Sequence, residues 1–192
     1  MMVFAWGDTL PTLKAPRVAL RHLTPADADD IFAIFCDAEV MRYWSSVPME
    51  TMAEATAYID HIHEGLRRRD LFQWGISDAA SGRVIGTCTL LSVSMPNERG
   101  EIGFALARDQ WGRGLAREAV TTLITFAFEQ LGLHRLEADV DPRNDRSLRV
   151  LERLGFRREG RLRDRYFVGG ERQDSVVLGL LASDWQGRRA DP

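Results

Sequence analysis

The stretch "QWGRGLARE", from Gln110 to Glu118, places two glycines around an arginine just before a segment with helical periodicity. A helix N-terminus presents unpaired backbone N–H groups and the positive end of the helix dipole, and glycines let an anion approach them closely. Gly112 and Gly114 give that access, and Arg113 adds a charged hydrogen-bond donor. Three interpretations are open: a plain turn, a phosphate-binding loop, or a close approach of the backbone to another group.

Two nucleotide-binding motifs do not match this turn. The Walker motif needs a lysine followed by Ser or Thr, and none follows Gly114. A dinucleotide-binding motif needs three spaced glycines after the first strand, whereas this turn has two and comes after the fourth predicted strand. The four histidines and two cysteines show no metal-ligand or redox spacing, so we expect no metal site.

The hydrophobic periodicity places this turn inside a mixed α/β domain. Alternation over Val18–Leu23 predicts a first strand, and helix-start signals follow at Thr24 and Thr51. Further strands and helices give the order β-α-α-β-β-β-α-β-α-β-β. This order predicts one α/β (α+β) domain over residues 17–185. It has a mostly antiparallel sheet of about seven strands, flanking helices and a central βαβ unit. Residues 1–16 form an N-terminal extension and 186–192 a C-terminal tail, and we expect both ends to fray.

Composition limits the classes of partner. The chain has 192 residues, 45% of them hydrophobic, and a formal net charge of −3, which favours one globular domain and gives no reason to expect nucleic acid as a partner. No apolar run approaches the roughly 18 residues of a membrane span, so we expect no membrane partner. Cys36 and Cys88 both lie in apolar runs and are predicted to be buried, which favours a reducing cytoplasm.

Several motifs together resemble the GNAT superfamily of acyl-CoA-dependent N-acetyltransferases. They are "EIGFAL", "WGRGLAREAV" and "RLEADVDPRNDRSLRVLERLGFRREGRLRD". Trp111 stands where the family usually has Gln or Arg, and this departure is similar to the branch of RimJ/RimL-type ribosomal-protein N-terminal acetyltransferases. The resemblance runs from about Arg17 to Trp185. It implies that the glycine turn seats the diphosphate of acetyl-CoA, the expected cosubstrate, and that the central βαβ unit binds acyl-CoA.

The resemblance also implies which residues hold that cosubstrate. The diphosphate would lie on the backbone N–H groups of Gly112, Arg113, Gly114, Leu115 and Ala116. Pantetheine would lie between the splayed fourth and fifth strands, along the backbone of Phe104, Ala105, Leu106, Ala107 and Arg108. An N–H near Leu106 would polarise the thioester carbonyl, as an oxyanion-hole donor does. Asn144 would bind the pantetheine arm, and the 3′-phosphate would meet Arg143, Arg149 or Arg153.

Direct transfer to an amine needs no covalent nucleophile but does need proton transfer. Glu101, at the start of the fourth strand, is the first candidate for the general base; otherwise it is a strand-edge carboxylate. Ser147 follows the fifth strand and is the candidate proton donor to the thiolate; otherwise it caps a helix, a role that Asn144 could also fill. Tyr166 is the second candidate acid; otherwise it packs on a strand.

The acceptor is the least constrained part of the prediction. In such folds it contacts the loop after the first helix, here Met41–Thr51, and the final hairpin, here Arg163–Glu171. Tyr43 and Trp44 could wall an acceptor cleft or could pack in the core. A ribosomal-protein N-terminus and a small-molecule amine are both open. So are an inactive acyl-CoA-binding sensor of the same fold and the oligomeric state, for which a homodimer is one option.

Overall fold

The computed structural model describes residues 4–185, which form a central sheet covered by helices on both faces. The predicted tail, 186–192, lies outside the described residues. The strands are β1 (Leu13–Lys14), β2 (Val18–His22), β3 (Leu71–Asp78), β4 (Val84–Ser94), β5 (Arg99–Leu106), β6 (Arg135–Val140), β7 (Arg157–Val168) and β8 (Glu171–Leu181). The helices are α1 (Ala28–Phe35), α2 (Ala38–Met41), α3 (Met52–Arg68), α4 (Leu115–Glu129) and α5 (Asp145–Leu154).

The strand order confirms the predicted mixed, mostly antiparallel sheet. Within residues 4–185 the order is β1-β2-β3-β4-β5-β6-β8-β7, and only β5 and β6 pair in parallel, across the central βαβ unit. The sheet has eight strands where the sequence predicts about seven. The additional one is β1, and its two residues are too few to show the alternation by which a strand is recognised.

The parallel pair separates after three residues. Arg99–Glu101 pairs with Arg135–Glu137, after which β5 stays with β4 and β6 stays with β8. The two strands therefore diverge and leave a V-shaped opening in the middle of the sheet. Glu101 is the last β5 residue that pairs with β6, so it lies at the vertex of this opening.

Helices cover the two faces of the sheet unequally. The larger core lies under α4 and α5 and includes Leu123 and Leu148. The smaller core lies under α1, α2 and α3 and includes Ile31 and Ile59. Successive strand residues point to opposite faces, so each β5 side chain belongs to one of these two environments.

The N-terminal extension packs on the larger core. Trp6 stacks on Phe72 with ring centroids 3.9 Å apart, and Phe4 meets Phe126 edge-on at 5.2 Å. The Trp74 indole N–H donates to the Pro11 carbonyl at 2.8 Å. The expectation of fraying is therefore wrong from Phe4 onward. Aromatic burial of this size outweighs the entropy of ordering a few residues.

Two further expectations have different outcomes. Cys88 is buried as predicted, whereas Cys36 is exposed because it follows the last turn of α1 rather than facing the core. None of the helices within residues 4–185 combines the length and the apolar character that a membrane span requires.

Candidate active site

The glycine turn has the backbone geometry of an open anion cradle. Gly112 and Gly114 have φ angles of 75° and 77°, in the left-handed region that favours glycine. A Cβ built on Gly112 would meet no atom within 4 Å, and one on Gly114 would meet only Arg17 Nη2, at 3.5 Å. Leu115 then begins α4, whose first N–H groups have no helical acceptor. The turn therefore fits a diphosphate.

Arg17 and Glu118 hold this turn from the side. The Arg17 backbone N–H donates to Glu118 Oε1 at 2.6 Å, and its Nε donates to Oε2 at 2.7 Å. The Arg17 Nη1 group donates to the Arg113 carbonyl at 2.9 Å. Arg17 precedes β2 and Glu118 lies in the first turn of α4, so their contact ties the turn to the N-terminal strand.

Trp111 links the turn to the neighbouring elements. Its indole N–H donates to the Leu106 carbonyl at the end of β5, at 2.7 Å. The Arg146 guanidinium, at the start of α5, lies 4.5 Å from the Trp111 ring, within cation–π range. Arg146 was not among the arginines considered for phosphate contact. Arg143, which was, forms an ion pair with Asp141 at 2.7 Å.

The backbone of β5 presents alternate N–H groups to the opening. The Ala107 N–H donates to the Ile85 carbonyl at 2.8 Å, on the β4 side. Hydrogen bonding alternates along an antiparallel strand, so the Ala105 N–H also faces β4. The N–H groups of Phe104 and Leu106 therefore point the other way, into the V-shaped opening. Of the predicted pantetheine contacts, Phe104 and Leu106 therefore offer free donors. Arg108 begins a 3-10 turn beyond the strand.

Glu101 is a half-buried carboxylate at the vertex. Its pKa is raised above the ordinary value of 4.5, first by burial and then by the charges of Asp139 and Glu137, with Arg165 and Arg99 acting in the opposite direction. Within residues 4–185 its carboxylate forms no hydrogen bond or ion pair. A carboxylate that is raised in pKa and unpaired is suited to accept a proton at near-neutral pH.

Asp139 is a functional candidate that the sequence analysis missed. It lies in β6 just past the vertex, is 12% exposed, and accepts a hydrogen bond from the Tyr166 hydroxyl at 3.1 Å. The Ser175 hydroxyl also donates to it, and Arg165 Nε lies 3.7 Å away. Burial raises the pKa of Asp139. The available signal was weak, because Asp139 alternates with buried residues and shares the more polar side of the strand with Arg135 and Glu137.

Tyr166 therefore does more than pack on a strand. It reaches from β7 to β6, and burial raises its pKa, as do the charge of Asp139 and the hydrogen bond to it. The phenol remains protonated, and its proton is engaged by Asp139.

Asn144 and Ser147 have separate positions at the start of α5. Asn144 is the N-cap, because its Oδ1 accepts from the Ser147 N–H at 3.1 Å. The alternative interpretation of Ser147 as the cap is therefore wrong. Ser147 lies in the first turn with a half-buried side chain, and Arg146, beside it, reaches the glycine turn. The α5 start and the turn thus flank the same end of the opening.

The loop after α2 contacts both the smaller core and the end of β6. Trp44 packs edge-on against Phe35 at 5.5 Å, which confirms core packing for this residue. Tyr43 lies under the Arg143 guanidinium, 5.7 Å from its ring centroid. Within the described range, no group of three or more His, Cys, Asp or Glu side chains is arranged to hold a metal ion.

Splayed parallel strands beside a glycine turn at a helix start define an acyl-group transferase site of the GNAT type. The family model for the acetyltransferase (GNAT) domain matches residues 17–157, and the chain belongs to this family. It is therefore an acetyltransferase, as the motifs predicted.

Three similar proteins refine this assignment. The uncharacterized N-acetyltransferase p20 of Bacillus licheniformis is 34% identical over 93% of this chain and 100% of its own length. YdaF of Bacillus subtilis (strain 168), provisionally named a ribosomal N-acetyltransferase, is 30% identical over 90% of this chain and 96% of its own. The structure of Mycobacterium smegmatis RimJ in complex with CoA-disulfide is 25% identical, with a TM-score of 0.82, over 93% of this chain and 90% of that one. The chain is thus similar to RimJ/RimL-type proteins, as Trp111 indicated.

Proposed function

We propose that the protein transfers the acetyl group of acetyl-CoA directly to a primary amine, either a protein N-terminal α-amine or a small-molecule amine. The observation that carries this proposal is the unpaired, half-buried Glu101 at the vertex of two diverging strands. On the same strand, free N–H groups of Phe104 and Leu106 point into the opening. A proton acceptor and oxyanion donors thus lie on one short segment.

The cosubstrate supplies an acetyl thioester, and the residues of the chain bind and orient it. The diphosphate is held by the backbone N–H groups of Gly112, Arg113, Gly114, Leu115 and Ala116. Phe104 and Leu106 pair with the pantetheine arm and polarise the thioester carbonyl, and Asn144 binds the same arm through the part of its amide that does not cap α5. Arg146, beside Trp111, joins Arg149 and Arg153 as a candidate for phosphate contact.

The acceptor must lose a proton before it can attack. An α-amine has a pKa of about 8 and a lysine about 10.4, so the neutral form costs a lysine about 3 kcal/mol more. Glu101 takes this proton, directly or through one water, and the neutral nitrogen then forms the bond to the carbonyl carbon. The carbon–sulfur bond then breaks, and Ser147 donates a hydrogen bond to the departing sulfur. The second proton of the amine passes from the nitrogen to this sulfur, so CoA leaves as the thiol. Tyr166 is the alternative donor, but only when its hydroxyl proton is no longer held in the hydrogen bond to Asp139.

The vertex also suits a cationic acceptor. Three carboxyl groups meet there: Glu137 is ion-paired with Arg99 and Arg135, and Asp139 lies 3.7 Å from Arg165. Glu101 has no ion pair among the described residues, so it is the carboxylate that an ammonium group can approach. Such a site attracts an ammonium group before the proton is removed. We further propose that the reaction takes place in the cytoplasm, as the sequence predicts.

The experiment is thiol release from acetyl-CoA across a panel of amines and N-terminal peptides. We expect release that depends on the acceptor and falls when Glu101 is replaced by Gln. Tight acetyl-CoA binding with no acceptor-dependent release over the whole panel would contradict the proposal and favour an acyl-CoA sensor of the same fold.

A further inference from the structure

Two uncharged polar residues and a glycine form a row across the sheet beside the vertex. Gln73 of β3, Thr89 of β4 and Gly103 of β5 are direct cross-strand partners, so they lie side by side on one face. This is the face under α1–α3, because Ala105, two residues along β5, belongs to the smaller core. Glu101 lies on the same face, about 6.7 Å from Gly103 along the strand.

The row contains hydrogen-bonding capacity that the fold does not use. Gln73 and Thr89 are only 4% and 8% exposed. The Gln73 amide nitrogen donates to the Tyr58 hydroxyl at 2.5 Å, which leaves its carbonyl oxygen unused. Within residues 4–185 the Thr89 hydroxyl forms no hydrogen bond, yet it is not among the fully buried unpaired atoms, of which Thr87 Oγ1 is one, so it keeps some accessible surface. Neither the Gln73 carbonyl oxygen nor the Thr89 hydroxyl is a fully buried unpaired atom, so both remain accessible beside the row, where a bound group can form hydrogen bonds with them.

Gly103 leaves room for such a group. A Cβ built there would meet no atom within 4 Å, whereas one on Gly86, on the neighbouring strand, would lie 2.4 Å from the Ala105 carbonyl oxygen. Gly103 does not have a positive φ, so the backbone does not require glycine at this position. Its lack of a side chain instead keeps the space above the row open.

Aromatic residues bound the row on its far side. Tyr58 packs against Phe35 at 5.0 Å, and Phe35 in turn contacts Trp44. Burial raises the pKa of Tyr58 to about 12, so the phenol stays neutral at any working pH. The row is thus uncharged and differs in kind from the carboxylates at the vertex.

We propose that Gln73, Thr89 and Gly103 form a subsite for the acceptor side chain, which selects amines that carry a short hydroxyl-bearing group on the amine-bearing carbon. This inference rests on the proposed function, because it takes Glu101 as the point where the amine binds. An amine at Glu101 directs the substituent on its own α-carbon along the strand, toward Gly103. Thr89 and the Gln73 carbonyl then bond the hydroxyl, and an alkyl group of equal size leaves both unpaired.

The test uses three acceptors: glycine amide, threonine amide and valine amide. Glycine amide has no side chain and is the internal reference, and threonine and valine differ by one hydroxyl at nearly constant shape. The variants are Gly103→Val, which fills the space, and Thr89→Val, which removes the hydroxyl. The matched control is Gly160→Val, because Gly160 also has open space and no positive φ but lies on exposed β7.

We expect the wild type to prefer threonine amide over valine amide by at least about tenfold in kcat/KM. Thr89→Val should abolish most of this preference. Gly103→Val should lower kcat/KM for threonine and valine amides by about tenfold or more relative to glycine amide. The KM for acetyl-CoA should stay unchanged in both variants, and Gly160→Val should behave as the wild type.

Other results overturn the inference in distinguishable ways. If the wild type turns over amines but shows no hydroxyl preference, or if Gly103→Val leaves the threonine-to-glycine ratio unchanged, the subsite is wrong and the proposed function stands. If no amine promotes thiol release, the proposed function fails and the subsite fails with it. Thermal melting of each variant separates either result from misfolding.

Discussion

The Arg17 side chain and backbone both bind the carboxylate of Glu118, 101 residues further along the chain. The remaining guanidinium nitrogens face the glycine turn, where Nη1 donates to the Arg113 carbonyl. Arg17 is half exposed and Glu118 is 15% exposed, so the pair lies at the surface, with its carboxylate partly shielded. Its effect on overall stability should be small, while its effect on the shape of the turn should be large.

Arg17→Ala and Glu118→Gln should each raise the KM and the Kd for acetyl-CoA by about tenfold, because each leaves the turn less ordered. The kcat at saturation should change little. The double variant should lose no more than either single one, since the two residues act as one contact. Calorimetric titration of CoA measures the Kd without turnover.

S-acetyl-pantetheine is the control donor for this prediction, because it lacks the diphosphate. Its kcat/KM should be the same in wild type, Arg17→Ala and Glu118→Gln. An equal loss with both donors would show that the pair supports the fold in general rather than the diphosphate seat.

Glu101→Gln should lower kcat by about a hundredfold or more, with little change in the Kd for CoA. In the wild type the base works when ionised, so kcat should fall as the pH drops through the pKa of Glu101. The midpoint of this acidic limb of the kcat–pH profile should lie above 4.5, the ordinary pKa of the carboxyl, since burial raises the pKa of Glu101. The variant should lack the limb, and an unchanged kcat would make Glu101 a structural residue.

The same substitution should stabilise the protein at neutral pH. A carboxyl whose pKa is raised in the fold binds its proton more tightly when folded, so its unfavourable contribution is absent below about pH 4 and complete above the folded pKa. Glu101→Gln should therefore have an equal or higher Tm at pH 8, and the difference should vanish at pH 4. Differential scanning calorimetry at both pH values is the measurement.

Asp139→Asn should move the acidic limb of kcat to lower pH. Burial is the first cause of the raised pKa of Glu101 and the charge of Asp139 is the second, so the limb should shift but not return to 4.5. The matched comparison is Tyr166→Phe, which keeps the charge of Asp139 and removes only the hydrogen bond that Tyr166 donates to it. A limb that stays in place in Asp139→Asn would show that Asp139 is protonated throughout the working range.

Asn144→Ala and Ser147→Ala should separate folding from chemistry at the start of α5. Asn144→Ala removes the cap and should lower the free energy of unfolding by about 1 kcal/mol. Ser147→Ala keeps the backbone N–H that donates to Asn144, so the free energy of unfolding of this variant should be close to that of the wild type. If Ser147 assists the thiolate, kcat should still fall, and urea denaturation beside steady-state kinetics checks both.

The elements were predictable where their signals are local. The capping box at Thr51 is formed, with the Glu54 side chain accepting from the Thr51 N–H at 2.8 Å, and α3 begins at the next residue. The placement of Glu101 near the start of its strand was also predictable from the local run "EIGFAL", whereas its place at the vertex came from the pairing of the strands. Both depend on residues that are close in sequence or belong to one pattern.

The remaining features depend on contacts that no local pattern encodes. Asp139 looks like one polar residue in a strand, and its partner Tyr166 comes from another strand, 27 residues later. The cap of α5 could be Asn144 or Ser147 in sequence, and only the backbone geometry decides. The row of Gln73, Thr89 and Gly103 exists because three strands pair in one register.

Trp111 gives the protein an optical reporter. Its indole N–H is fixed on the Leu106 carbonyl, and the Arg146 cation lies over its ring. Indole emission depends on nearby charge, so we expect the fluorescence of this ring to change if a bound diphosphate draws Arg146 away. We therefore expect donor binding to change the emission of Trp111 without label or turnover. Trp111→Phe, which keeps Trp6, Trp44, Trp74 and Trp185, is the reference that should lack this change.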